Sequence, residues 1–236
     1  MTMQNNYDIR IGSLNVRGIN DEVKRKSVFK WAKRKEFDIL FLQETYSSAD
    51  NESRWKQEWG GEIFFAHGTK HSKGVMIMFK PKSEVEVTDV TIDNHGRYIV
   101  LNVNLMSENL VLANIYAPNK VAEKKIFFRV LFTIMENNNV QMDDKVICGG
   151  DWNSIFDGKM DKSGGRSNQD NIVPEMKEII EMFDLIDIWR LRNPESKRFT
   201  FRQKKPLVQT RLDYFLVTTE LPDLVCNTCL LYTSPS

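Results

Sequence analysis

Cysteine is scarce in this 236-residue chain: only Cys148, Cys226 and Cys229 occur. That is too few for a disulfide framework at this size, which fits a reducing compartment. Cys226 and Cys229 have C-x-x-C spacing, but no second pair and no following histidine completes a zinc site, so the spacing is read as chance. Long apolar runs are absent as well. Nowhere do 18 apolar residues follow one another, and the opening "MTMQNNYDIR" lacks the apolar stretch of a signal peptide, so a soluble intracellular protein is expected. Charge of one sign is also missing. A formal net charge of +1 provides no global field for nucleic acid, membrane or acidic partners, and any such preference has to come from local patches. Low-complexity segments, internal repeats and long linkers are not found.

What is present is ordinary globular composition, 41% hydrophobic and 28% charged, enough for one large domain. "YDIRIGSLNV" alternates apolar and polar residues and reads as a strand. Asn20 and Asp21 can cap a following helix that carries Val23, Val28, Trp31 and Ala32 at roughly helical spacing, with Lys and Arg toward its end. "FDILFLQE" reads as a fully buried strand. "GVMIMF", "SEVEVTDVTI", "GRYIVLNVNL" and "NLVLANIYA" read as an antiparallel meander. A helix is expected from about Val121 to Glu136, then a buried strand "KVICGG", a long loop, and a helix through Ile172, Met176, Ile179 and Phe183. "DLIDIW", "RFTFRQ" and "RLDYFLV" form a second strand-rich half. The fold class expected is α/β: a four-layer sandwich of two stacked, mainly antiparallel sheets flanked by helices.

In such a sandwich, strand ends converge along one edge, and several of these strands end in polar residues. Asn15 ends the first, Glu44 the second, Tyr116 and Asn119 a third, and Asp151 and Asn153 follow "VICGG"; Asp213 lies inside the apolar "RLDYFL". Each has an ordinary reading: Asn15 as a turn amide, Glu44 as a solvated strand end, Tyr116 as a rim aromatic, Asp151 with Asn153 as an Asx turn. Asp213 fits its ordinary reading least, because aspartate is depleted within strands. A buried carboxylate needs a cation, a donor network or water. Together these side chains form an oxygen-rich set of the kind Mg²⁺ or Mn²⁺ accepts, with water and substrate phosphate completing the shell. His67, His71 and His95 supply no zinc-type set.

The order of "LNVRG", "QE", "NIYAPN", "GGDWN", "DLIDIWRLRNPESKRFTF" and "RLDYFLV", between about Ile9 and Val225, resembles the endonuclease/exonuclease/phosphatase superfamily, which includes DNase I-like and apurinic endonuclease-like enzymes. The last blocks look most like the endonuclease domain of LINE-type non-LTR retrotransposons, which precedes a reverse transcriptase in one polyprotein. The resemblance implies that Glu44 binds a divalent metal with Asn15 beside it. It further implies that Asp151 orients or deprotonates the attacking water, Asn153 holds the phosphate or the metal shell, Tyr116 donates to a phosphate oxygen, Thr200 contacts the DNA backbone and Asp213 orients a histidine. DNA is the implied substrate, the element's RNA and the reverse transcriptase are further implied partners, and nicking of DNA implies the nucleus.

The family pattern continues to a Ser-Asp-His near the domain's end, yet no histidine follows His95. The chain ends instead in "CLLYTSPS", Cys229 to Ser236, which TGT CTC TTA TAC ACA TCT CCG AGC would encode, a string resembling a transposase-type sequencing-library adapter. The expectation is a single domain over residues 1–228, cut before its last segment, with 229–236 non-native and activity impaired. Two basic clusters bear on the substrate. Arg10 to Lys35 holds nine Lys or Arg and is read as a solvated helix face. Arg190 to Arg211 holds eight, flanks Thr200 and Asp213, and offers Lys204, Lys205 and Arg211 to the phosphate backbone. The competing readings are a same-fold repair nuclease or phosphatase, and a non-catalytic nucleic-acid-binding module.

Overall fold

The computed structural model describes residues 8–105, 108–137, 144–165, 171–225 and 227–230. Strand β1 (Ile11–Asn15) leads to helix α1 (Glu22–Arg34), whose N-cap Asp21 accepts a hydrogen bond from the Lys24 amide at 2.8 Å; Glu22 in the first turn and Lys33 and Arg34 in the last suit the helix dipole. Then come β2 (Ile39–Gln43), α2 (Glu52–Trp59), β3 (Ile63–Ala66) and β4 (Val75–Phe79). The middle of the chain contributes β5 (Glu86–Ile92), β6 (Tyr98–Leu105), β7 (Glu108–Tyr116), α3 (Val121–Asn137) and β8 (Lys145–Asp151). The remainder is β9 (Lys162–Ser163), α4 (Pro174–Met182), β10 (Leu185–Asp187), α5 (Ile188–Arg192), β11 (Phe201–Gln203), β12 (Val208–Thr210) and β13 (Asp213–Thr218).

One sheet has the order β1-β2-β4-β3, and the other β10-β13-β8-β7-β6-β5. Within them β1 with β2 and β7 with β8 are parallel; every other pair is antiparallel. Side-chain alternation divides the apolar residues among three interfaces, which makes four layers. Leu40, Leu42, Met76 and Met78 face α1 and α2 through Val28, Phe29, Trp55 and Trp59. Ile39, Phe41, Ile77 and Phe79 point the other way, into the space between the sheets, and meet Ile99, Leu101 and Leu112. On the far face of the second sheet, Val100, Ala113, Ile115 and Cys148 pack against Phe127, Phe128, Leu131, Met176 and Ile179 of α3 and α4. The sandwich is the expected one.

The structure corrects the expected meander. Only β5, β6 and β7 form it; β4, the "GVMIMF" segment, pairs with β2 and β3 in the opposite sheet. Its five residues are all buried, one set against each layer, so its sequence carries no trace of which sheet receives it. "DLIDIW" splits into β10 and the short helix α5, because Asp187 accepts from the Arg190 amide at 3.0 Å and caps the turn. The long loop after β8 contributes β9 to a third, three-stranded sheet of order β11-β12-β9. Gly149 and Gly150 are not the turn after β8 but lie within it. At Gly150 φ is +135°, and a Cβ would stand 2.0 Å from the Ile115 carbonyl oxygen, so only glycine lets β7 and β8 approach here.

Candidate active site

The parallel pairs point the C-terminal ends of β1, β2, β7 and β8 toward one edge of the sandwich, and β13 starts there. Register does the rest: Tyr116 pairs with Asp151, and Asp151 with Asp213, so three of the polar residues stand in a row across neighbouring strands. Asn15, at the end of β1, reaches over from the other sheet. Its Nδ2 donates to Glu44 Oε1 at 2.8 Å and to Asp151 Oδ2 at 2.9 Å, so one amide joins two carboxylates from different sheets. Glu44 Oε2 accepts from the Tyr46 hydroxyl at 3.1 Å, and the Tyr116 phenol also lies against Glu44.

"GGDWN" is both a turn and part of this constellation. The Asn153 amide donates to Asp151 Oδ1 at 3.0 Å, an Asx turn, while Asn153 Nδ2 donates to the Ala117 carbonyl at 2.8 Å. Thr200 is exposed, and its Oγ1 accepts from the amides of Leu212 and Asp213 at 3.0 and 3.3 Å, which fixes the hydroxyl beside the Asp213 carboxylate. Asn119 is exposed in the turn leading into α3.

Burial pushes the Asp151 carboxyl up to about 8, and the nearby Asp213 and Glu44 charges add to it against the Asn15 and Asn153 hydrogen bonds. Asp213 is pushed up to about 6, again by burial first, with Thr200 and Arg17 opposing. Tyr116 is raised by burial and by Glu44 and Asp151, and stays a phenol. Asp213 Oδ1 is sealed from solvent and has no hydrogen-bond partner among the described residues. Among the described residues, eight non-glycine positions have positive φ, and four of them, Arg17, Glu44, Tyr46 and Asn153, belong to this edge. Such backbone outliers gather where the surrounding fold over-determines a functional geometry.

Lys204 and Lys205 are exposed on the turn between β11 and β12. Arg211 requires a correction. Its guanidinium is 1% exposed, ion-paired with Asp161 and Asp187, and lies over the rings of Trp189 and Tyr214 at 4.9 and 4.4 Å. It staples α5 and the loop after β8 to β13 and does not reach a ligand.

Sequence reading missed four supports. Tyr46 holds Glu44. Arg97 lies over the Tyr116 ring at 5.2 Å and donates to the Tyr116 carbonyl at 3.1 Å. Asn114, fully buried between the sheets, donates to the Leu42 and Met76 carbonyls and accepts from Gln43 Nε2 at 2.7 Å, tying both sheets together behind Glu44 and Tyr116. Lys124 is buried in α3 and donates to the Asn153 carbonyl at 2.6 Å and to Ser154 Oγ at 3.1 Å. Lys124 alone left a signal, a charged residue on the apolar stripe with Phe128, Leu131 and Met135. Ser47, His67 and Glu52 are hydrogen-bonded in series at 3.0 and 2.8 Å, but Ser47 is fully buried, so the chain of bonds anchors the turn after Glu44 and presents no nucleophile.

Among the described residues, no three His, Cys, Asp or Glu side chains gather into a metal cluster. The chemistry of the donors still fits a hard cation that needs few protein ligands: the Asp213 and Glu44 charges raise the proton affinity of Asp151, Glu44 raises that of Asp213, and the Asp213 Oδ1 acceptor is orphaned. Cys226 lies outside the described residues, so the C-x-x-C spacing has no structural description. No helix among the described residues is long and apolar enough to cross a membrane.

The profile of the Endonuclease/Exonuclease/phosphatase family matches residues 12–234, and the chain belongs to that family. It is 31% identical over 215 residues to a Xenopus laevis protein described as "Transposon TX1 uncharacterized 149 kDa protein", in line with the retrotransposon resemblance; the match takes in 90% of this chain and 16% of that relative's length. The fold is that of an AP endonuclease from Archaeoglobus fulgidus (TM-score 0.70, 20% identity, 92% of this chain and 89% of that one). It is also that of the AP endonuclease LMAP from Leishmania major (TM-score 0.68, 17% identity, 94% and 84%).

Proposed function

We propose that this domain is a Mg²⁺- or Mn²⁺-dependent phosphodiesterase, the DNA-nicking endonuclease of a non-LTR retrotransposon, leaving a 3′-hydroxyl from which reverse transcription on target DNA is primed. The observation that carries the reading is the joining of Glu44 and Asp151, from different sheets, by the single amide of Asn15. A divalent cation held by Glu44, with Asn15 beside it, would neutralise charge on the phosphate oxygens.

Asp151, with its proton affinity raised toward neutrality, takes a proton from the water that attacks phosphorus. A new P–O bond forms, the bond to the 3′ oxygen breaks, and that oxygen leaves with the electron pair and takes a proton from solvent water to become the hydroxyl. Tyr116, kept protonated, donates to a phosphate oxygen, and Asn153 and Asn119 bind the same group. Thr200, Lys204 and Lys205 contact the strand on the β11 side. Asp213 Oδ1 orients a histidine of the kind the family's Ser-Asp-His segment carries; the orphaned oxygen supports this role.

Nicking of supercoiled plasmid tests the reading, on the domain carrying a Ser-Asp-His segment after Thr228. Mg²⁺-dependent conversion to open circles is expected, falling about 10²–10⁴-fold in Asp151→Asn and lost in Glu44→Gln. Undiminished nicking by both variants would refute the site. The AP endonuclease fold neighbours favour one second reading, cleavage at abasic sites; rates on abasic and intact duplex separate the two.

A further inference from the structure

The basic segment Arg10 to Lys35 does not lie wholly on the helix face. Arg17 precedes α1, two residues beyond Asn15, and points out from the rim of the site. Its backbone is pinned on both sides: the amide donates to Asn15 Oδ1 at 3.2 Å, and the carbonyl accepts from Lys24 Nζ at 3.0 Å. It holds φ +47°, and next to it Gly18 holds φ +81° with the Tyr46 ring so close that a Cβ would stand 2.6 Å away. The glycine that leaves room for the Glu44-binding Tyr46 ring therefore sits in the same turn that puts Arg17 outside.

The guanidinium is unspent. It lies over the Phe201 ring at 5.6 Å, and among the described residues it forms no ion pair and donates no hydrogen bond. Four other arginines differ: Arg25 is held by Glu58, Arg190 by Asp161, Arg211 by Asp161 and Asp187, and Arg97 donates to the Tyr116 carbonyl. Phe201 follows Thr200 directly, so the ring that carries Arg17 belongs to the segment that flanks Asp213. The field of Arg17 also reaches that carboxyl and favours its ionised form. A planar fork of five donors, stacked on an aromatic ring and facing solvent, is suited to a tetrahedral anion with paired oxygens.

We propose that Arg17, presented on Phe201, binds a backbone phosphate of the nucleic-acid strand on the Asp213 side of the site, next to the scissile position. The proposal rests on the phosphodiesterase reading and adds a contact to it. A purely internal role, as counter-ion to Asp213, is the alternative to be separated.

Fluorescence anisotropy of a labelled DNA duplex with the 236-residue chain, in EDTA and across a salt series, tests it without metal or turnover. Arg17→Gln is expected to weaken binding about 5- to 10-fold at low salt and to reduce the slope of log K against log salt by about 0.9. Phe201→Leu is expected to lose a smaller factor with the slope unchanged, and Arg17→Lys to keep the slope. Wild-type binding with Arg17→Gln unchanged in affinity and slope overturns the proposal alone. An unchanged affinity together with an altered pH profile of thermal unfolding assigns Arg17 to Asp213 and overturns it too. Absence of DNA binding by the wild type overturns both this contact and the nucleic-acid reading beneath it.

Discussion

Asp151 and Asp213 face each other across neighbouring strands with Glu44 close by, and at the residue level this costs stability. A carboxyl whose folded pKa exceeds its unfolded value of about 3.9 binds its proton more tightly when folded. Unfolding then becomes easier as pH rises from about 4 toward 8 for Asp151, and the loss is complete above that range. In metal-free buffer, Asp151→Asn is accordingly expected to raise the melting temperature at pH 8, on the order of 2–4 °C for each kcal/mol relieved, and to have little effect at pH 4. A pH series of thermal melts reads this directly. Mg²⁺ at millimolar concentration should raise the wild-type melting temperature at pH 8 more than that of Glu44→Gln, because a ligand of the folded state stabilises it by mass action. Equal shifts in the two proteins would remove Glu44 from the cation site.

Among elements, α3 meets the turn after β8 through Lys124 and through the stack of Phe128 on Trp152. Lys124 enters from the apolar face of α3, where burial lowers its proton affinity, and its ammonium holds the Asn153 carbonyl and the Ser154 hydroxyl. Replacement by Met keeps the packing volume and removes the donors. The amides of residues 152–154 in Lys124→Met are expected to exchange with deuterium on the order of 10-fold faster, as loss of a hydrogen bond from a charged group implies. Those of Val146 and Ile147, paired with β7 and β13, should not change. A uniform increase along β8 would mean that Lys124 supports the strand as a whole and not its terminal turn.

For the molecule as a whole, a net charge of +1 means that attraction to DNA must arise from where the cations sit. The β11–β12 turn carries Lys204 and Lys205, both exposed. Replacing both with Ala is expected to reduce the salt slope of DNA binding by up to about 1.8, that is 0.9 for each phosphate contact. Binding measured from low to moderate salt checks it, and an unchanged slope would place the DNA elsewhere.

Much of this architecture could be read along the chain. The alternation in β1 and the continuous apolar runs of β2 and β8 announce buried strands, and the polar residues that end them mark the edge where Asn15, Glu44, Tyr116 and Asp151 meet. Those are properties of local periodicity and of the cost of burying a carboxylate, and a sequence states them outright. Partner choice is a different matter. Period-two alternation says that a strand has two faces but not which strand lies beside it, so only the folded chain places β4 between β2 and β3. Asn15 and Asp151 are 136 residues apart, and no local pattern relates them. Whether an arginine is spent or free is decided in the same way: Arg211 and Arg17 look alike in sequence, and tertiary packing buries the first against Asp161 while leaving the second open to solvent.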